Sequence, residues 1–127
     1  MDVLRTDDAP DAVGAYSQGI VTQDRIETSG QIGIDPRTGE LVEASIEAEL
    51  QQCLQNVLAV VRAGGGNPSS VVKTRVFLAD LDHYPDLNRL YEDHFDDPLP
   101  ARSVVGGIDL PRGARFEIEA VAQVDSG

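Results

Sequence analysis

Between Ala44 and Ala63 the apolar residues Ile46, Leu50, Cys53, Leu54, Val57, Leu58 and Val61 return at steps of three and four. That period predicts an amphipathic helix, and Gly64, Gly65 and Gly66 stop it. Elsewhere the apolar period is two. "GAYSQGIVTQDRIETSGQIGI" predicts two short strands around a turn near Gln23 and Asp24. In the following "DPRTGE", Pro36 suits the second position of a turn and Gly39 a positive φ, so this is a loop. "SSVVKTRVFLAD" alternates, with Val72, Thr74, Val76 and Leu78 on one face and Val71, Lys73, Arg75 and Phe77 on the other. Both faces are partly apolar, which predicts a central strand. Pro85 opens a second, short helix with Leu87, Leu90, Tyr91, His94 and Phe95 on one side, and Pro98 and Pro100 end it. "PARSVVGGIDLPRGARFEIEAVA" supplies two last extended segments joined by a Pro/Gly turn. The predicted order is ββαβαββ, an α+β sandwich with two helices packed on one face of a mixed sheet.

The 127 residues suit a single domain, 1–127, with a real hydrophobic core. Hydrophobic residues at 41% and charged residues at 25% are ordinary globular usage. The charge balance changes the picture: 22 Asp and Glu face 10 Lys and Arg, a net charge of -12. Such a field repels phosphate backbones, and no basic stripe is present to neutralise them, so no nucleic acid is expected as a partner. Fourteen aspartates beside one lysine also fit a protein working at very high salt, where screening shrinks to about 3 Å near 1 M. The start "MDVLRTDDAP" has no apolar signal region, and the longest aliphatic run, "VLAVV", is far short of a membrane span. A cytoplasmic protein with no membrane association is the expectation. Cys53, alone and within a helical pattern, reads as a small core residue.

Against this background two charges stand out. In the final strand Phe116, Ile118, Ala120 and Ala122 point one way and Arg115, Glu117 and Glu119 the other. With helices over the first face, the second holds Glu117 and, from the preceding strand, Arg102 with Val104 on its side. One reading is a cross-strand ion pair on an exposed sheet, worth at most about 1 kcal/mol. The other is an arginine fork that holds a carboxylate two-pronged beside a carboxylate able to handle a water proton. Glu119, of like charge on the same face, would raise the pKa of Glu117 and help that role. Asp80, Asp82 and His83 in "DLDH" invite a metal reading, yet loop geometry scatters such side chains, and no metal site is expected. His94 reads as a helix-face residue. No phosphate-cradling glycine loop precedes a helix, Lys73 alone could form a Schiff base, and no cofactor is expected.

"GAYSQGI", "TSGQIGIDPRTGE", "QNVLAVVRAGG", "VVKTRVFLADLDHYPDLNRLYEDHF" and "PARSVV...LP...FEIEAVA" together resemble the RidA (YjgF) family of small reactive-intermediate deaminases across nearly the whole chain. The resemblance implies a chorismate-mutase-like fold and a homotrimer with its sheets facing inward around three inter-subunit clefts. It also implies hydrolysis of 2-iminobutanoate and 2-iminopropanoate to 2-oxo acids and ammonia. Arg102 matches the family arginine that grips the substrate carboxylate, and Glu117 the glutamate that positions or activates water. Tyr16, Ser29, Gly30 and Asn88 match pocket positions. Val104 stands where deaminating members typically have cysteine, and Ala15 where proline commonly precedes the tyrosine. Each pocket residue also has a plain structural reading: Tyr16 as rim packing, Ser29 and Gly30 as a turn, Asn88 as a solvated helix residue. A trimer whose clefts bind a small carboxylate without turnover is the alternative function, motivated by Val104. An RNA-cleaving role, attached to some family members, is opposed by the net charge.

Overall fold

The computed structural model describes residues 1–125, which form one six-stranded sheet with two helices against one face. The strands are β1 (Asp2–Leu4), β2 (Gly19–Thr22), β3 (Arg25–Thr28), β4 (Val71–Leu78), β5 (Ala101–Gly106) and β6 (Phe116–Gln123), arranged β1-β2-β3-β6-β4-β5. Only the β4–β5 pair is parallel. The predicted α+β class and mixed sheet therefore hold, with one strand more than the ββαβαββ expectation. The addition, β1, has three residues and pairs with β2. A strand that short carries too little alternation to be recognised along the chain.

Helix α1 (Ile46–Ala63) begins two residues later than the apolar period suggests, because Ser45 caps it by accepting a hydrogen bond from the Ala48 amide at 3.0 Å. Its apolar stripe is buried from Leu50 onward and half-buried at Ile46, each large buried side chain contributing roughly 1.5–3 kcal/mol. Past its end Gly65 takes φ 92°, closed to most side chains. Helix α2 (Tyr84–Tyr91) stops short of His94, and Phe95 reaches the core from the turn that follows.

The faces of β4 differ from simple alternation. Its pairing with β6 slips between Val71 and Lys73, a β-bulge at Val72. Val71 thereby joins Thr74, Val76 and Leu78 in the core, while Val72 turns outward at 45% exposure. The extra residue, and not the side-chain chemistry, moves these two valines to the opposite faces from those expected.

The larger correction concerns β5. It does not neighbour β6, because β4 lies between them. In the parallel register Arg102 stands beside Thr74 and Val104 beside Val76, and Thr74 and Val76 are fully buried under the helices. Arg102 and Val104 thus lie on the helix side of the sheet. Glu117 pairs with Phe77 and Glu119 with Arg75, on the helix-free side. Alternation alone fixes which residues of a strand share a face; only the register with β4 fixes which face that is.

Candidate functional site

The two charges singled out by the sequence occupy separate cavities on opposite faces. Glu117 is the second residue of β6, paired with Phe77 of β4, and on its other side the next residue, Ile118, exchanges backbone hydrogen bonds with Gln31. Its cavity, of about 320 Å³, is also lined by Tyr16, Gly30, Ile32, Ile34 and Arg112. The carboxylate packs against Gly30: a Cβ there would stand 2.9 Å from both Cδ and Oε2 of Glu117. Glycine is required by this close approach. Burial raises the Glu117 pKa above the ordinary carboxylate range, and the like charge of Glu119 adds to the rise. Glu119 itself meets Arg75 at 3.4 Å, so the cross-strand ion pair on this face involves Arg75 and Glu119, not Arg102 and Glu117.

Around this cavity the N-terminal segment is held by buried polar contacts. Gln18 is 3% exposed; its side-chain amide donates to the carbonyls of Thr6, Ala9 and Pro10, and its Oε1 accepts from the Thr6 amide. Ser29 donates its hydroxyl to the Ser17 carbonyl and its amide to the Gln18 carbonyl. Ser29 therefore stays the backbone beside Tyr16 and lines neither cavity. The Tyr16 ring is half exposed, its hydroxyl accepting from the Val13 amide at 3.2 Å. Behind Gly30, the buried Cys53 thiol donates to the Gln31 carbonyl at 3.0 Å, and burial pushes its pKa well up. A thiol so placed is core structure, as its position in the helical stripe suggests.

Arg102 sits on the edge strand β5 in a wider cleft of about 710 Å³, with Tyr84, Asn88, Tyr91, Leu99 and Val104. Here side chains fix the charge. Arg102 Nη2 donates to Asn88 Oδ1 at 2.7 Å and to the Tyr84 hydroxyl at 3.0 Å. The guanidinium carbon lies 4.9 Å from the Tyr91 ring centre and 5.4 Å from that of Tyr84, a cation–π geometry. The Tyr91 hydroxyl in turn pairs with Thr74, the register neighbour of Arg102. Burial raises the Tyr91 pKa, so this hydroxyl remains neutral across the working range. Val104 packs its methyls against the core.

Of the sequence-derived candidates, Tyr16, Gly30 and Glu117 share one cavity, and Asn88, Arg102 and Val104 share the other. Sequence reasoning missed Gln18, Arg112, Tyr84 and the part Tyr91 plays at Arg102. The spacing of Tyr84, Asn88 and Tyr91, four and then three, places them on one helix face and was the available signal. In the "DLDH" turn, Asp80 accepts from the Asp82 amide while His83 faces Asp86 at 3.4 Å. Among the described residues no group of three or more His, Cys, Asp or Glu side chains converges as metal ligands do. Nor is any helix there long and apolar enough to cross a membrane.

The family model described as endoribonuclease L-PSP matches residues 6–124, spanning both cavities. The chain belongs to the YjgF/RidA family. Within that family, a RutC family protein, y4sK, of Sinorhizobium fredii is 46% identical over 121 residues, covering 95% of this chain and 96% of the relative. The human 2-iminobutanoate/2-iminopropanoate deaminase is 42% identical over 120 residues, covering 94% of this chain and 88% of that one. The crystal structure of the Escherichia coli YjgF gene product superposes with a TM-score of 0.90 at 41% identity, covering 97% and 98% of the two chains. This YjgF/RidA chain is thus similar along its length to deaminase-named relatives, while its family also carries other names.

Proposed function

We propose that the protein hydrolyses small 2-imino acids, 2-iminobutanoate and 2-iminopropanoate, to 2-oxo acids and ammonia, in clefts completed between copies of the chain in a homotrimer. The observation that carries this reading is the placement of Arg102 and Glu117 on opposite faces of one sheet, each at its own cavity. A substrate of three or four carbons cannot reach through a sheet to touch both. A carboxylate anchor from one copy set against the Glu117 cavity of the next supplies both.

In such a cleft Arg102 holds the substrate carboxylate and orients the imine carbon toward Glu117. Glu117 takes a proton from water as the water oxygen adds to the carbon of the protonated imine, C=NH2⁺, giving a neutral carbinolamine. The proton is then passed to nitrogen, the C–N bond breaks, ammonia leaves, and the remaining hydroxyl proton is released to Glu117 as the carbonyl forms. A carboxylate whose pKa is raised is better matched to giving the proton back than an ordinary one. Every group required is an oxygen or nitrogen acid or base, and the valine at position 104 leaves this route intact. The same valine, presenting methyls where a polar group would serve chemistry, favours the second reading: a cleft that binds small carboxylates without turnover.

The test pairs Arg102→Ala with Glu117→Gln, each inactive alone, refolded together in equal amounts, with freshly generated 2-iminopropanoate trapped by semicarbazide. If the site is shared between copies, random mixing restores one intact Arg102–Glu117 pairing in about a quarter of sites. Recovery near that fraction supports the reading. No recovery, with wild type active, sinks the shared site. An assembled wild type that does not accelerate hydrolysis sinks the deaminase, and tight 2-oxobutanoate binding without turnover then favours the binding protein.

A further inference from the structure

A guanidinium has two edges on which it can grip a carboxylate with two hydrogen bonds: the end, between Nη1 and Nη2, and the side, between Nε and Nη2. Nη2 belongs to both. In this protein the two Nη2 hydrogens are already engaged, one by Asn88 Oδ1 at 2.7 Å and one by the Tyr84 hydroxyl at 3.0 Å. Among the described residues Nε and Nη1 make no hydrogen bond, but Nη1 lies on the far side from the Nε hydrogen, and the two do not form a fork. As folded, Arg102 therefore offers a carboxylate single bonds only.

We infer that the Tyr84 hydroxyl is a built-in competitor for the carboxylate that binds Arg102, displaced from Nη2 when the two-pronged grip forms. The inference rests on the reading of Arg102 as the carboxylate anchor and adds what must move for it to act. Tyr84 and Asn88 are both exposed, and the bond lengths select Tyr84 as the group that yields. Its hydrogen bond is the longer of the two. Tyr84 stands on the cleft rim, 38% exposed, so water can take over its hydroxyl. And the Tyr91 ring, whose hydroxyl is tied to Thr74, keeps the guanidinium in place from the core side while the partner at Nη2 changes. An ionised carboxylate is a stronger acceptor than a neutral phenol and wins the exchange. A neutral amide or ester lacks this charge assistance, so the contact also discriminates in favour of an anion.

The test is Tyr84→Phe, which keeps the ring over Arg102 and removes the acceptor. Binding of 2-oxobutanoate is measured by calorimetry, and the KM for 2-iminopropanoate alongside it. The expected result is tighter binding, Kd and KM each falling about three- to tenfold. A hydroxyl with a supporting or merely structural role gives unchanged or weaker binding, and that overturns the inference. A second readout needs no ligand. Rotation of the Arg102 Nη groups, followed by 15N NMR of labelled protein, is expected to quicken in Tyr84→Phe, and equal rates overturn the competitor. A wild type that fails to hydrolyse imines while Tyr84→Phe still tightens 2-oxobutanoate refutes the deaminase and leaves the competitor standing. An active wild type with no tightening does the reverse.

Discussion

The two halves of the candidate site are built by different means. Glu117 is held by the backbone: it stands near the start of β6, paired with Phe77 of β4 and followed by Ile118, which is hydrogen-bonded to Gln31, with Gly30 pressed against its carboxylate. Two residues earlier on the same chain, Arg115 donates from Nε and from its amide to the fully buried Glu49 of α1, anchoring the start of the strand to the core. Arg102 is held by side chains. It lies on an edge strand, and its orientation comes from Tyr84, Asn88 and Tyr91 of α2. A backbone-fixed acid stays in register for proton transfer, where small displacements are costly. A side-chain-held cation can exchange partners, as an anchor for an arriving anion must.

The comparison breaks most readily at Glu117. Glu117→Gln should lower imine hydrolysis roughly 10²- to 10⁴-fold, while the melting temperature at neutral pH stays level or rises. The sign follows from linkage: the folded pKa of Glu117 lies above its unfolded value, so the stability it contributes is full below the ordinary carboxylate range and is lost as pH rises through the folded value. At neutral pH the buried ionised form is a burden that glutamine removes. A clear drop in melting temperature would mean that Glu117 is structural.

Gly30→Ala is the next largest. The new Cβ displaces the carboxylate it would meet at 2.9 Å, and a loss of roughly 100-fold in kcat/KM is expected, with 2-oxobutanoate binding at Arg102 much less affected. Equal losses in both would show that the two regions are not separable. The smallest effect belongs to Glu119→Gln. Removing the second, like-charged contributor lowers the Glu117 pKa toward the ordinary value without abolishing the rise due to burial. The acidic limb of the kcat/KM profile should move to lower pH; an unmoved limb would assign that limb to another group.

The Glu117 half was largely legible in the chain. Strict alternation from Phe116 to Ala122 separates core from non-core positions without knowledge of neighbours, and Glu119 is placed beside Glu117 by the same period. The Arg102 half was legible as a list and not as an arrangement. Arg102, with Val104 on its side, stood out as a charge among apolar neighbours and Asn88 was found by resemblance, but the helix-side placement of β5 depends on its parallel pairing to β4, a strand more than twenty residues away in sequence. Tyr84 went unremarked because a tyrosine at the first turn of a short helix has no local mark of purpose; its hydroxyl meets Arg102 only after α2 packs across the edge of the sheet. The bulge at Val72 is the same lesson in small, since an inserted residue is visible only against its partner strand.

The sequence by itself determined the α+β class, the α1 stripe and its glycine stop, the interior alternation of β6 and membership of the YjgF/RidA family. These are properties of periodicity and of short motifs, carried by residues near one another in the chain. Tertiary structure alone decided that Arg102 and Glu117 face away from each other, that Ser29 braces backbone instead of lining a cavity, and that Nη2 of Arg102 is engaged before any ligand arrives. Each depends on the register or packing of distant segments, and register is set by the total burial of a sheet, a quantity that no single stretch of chain contains.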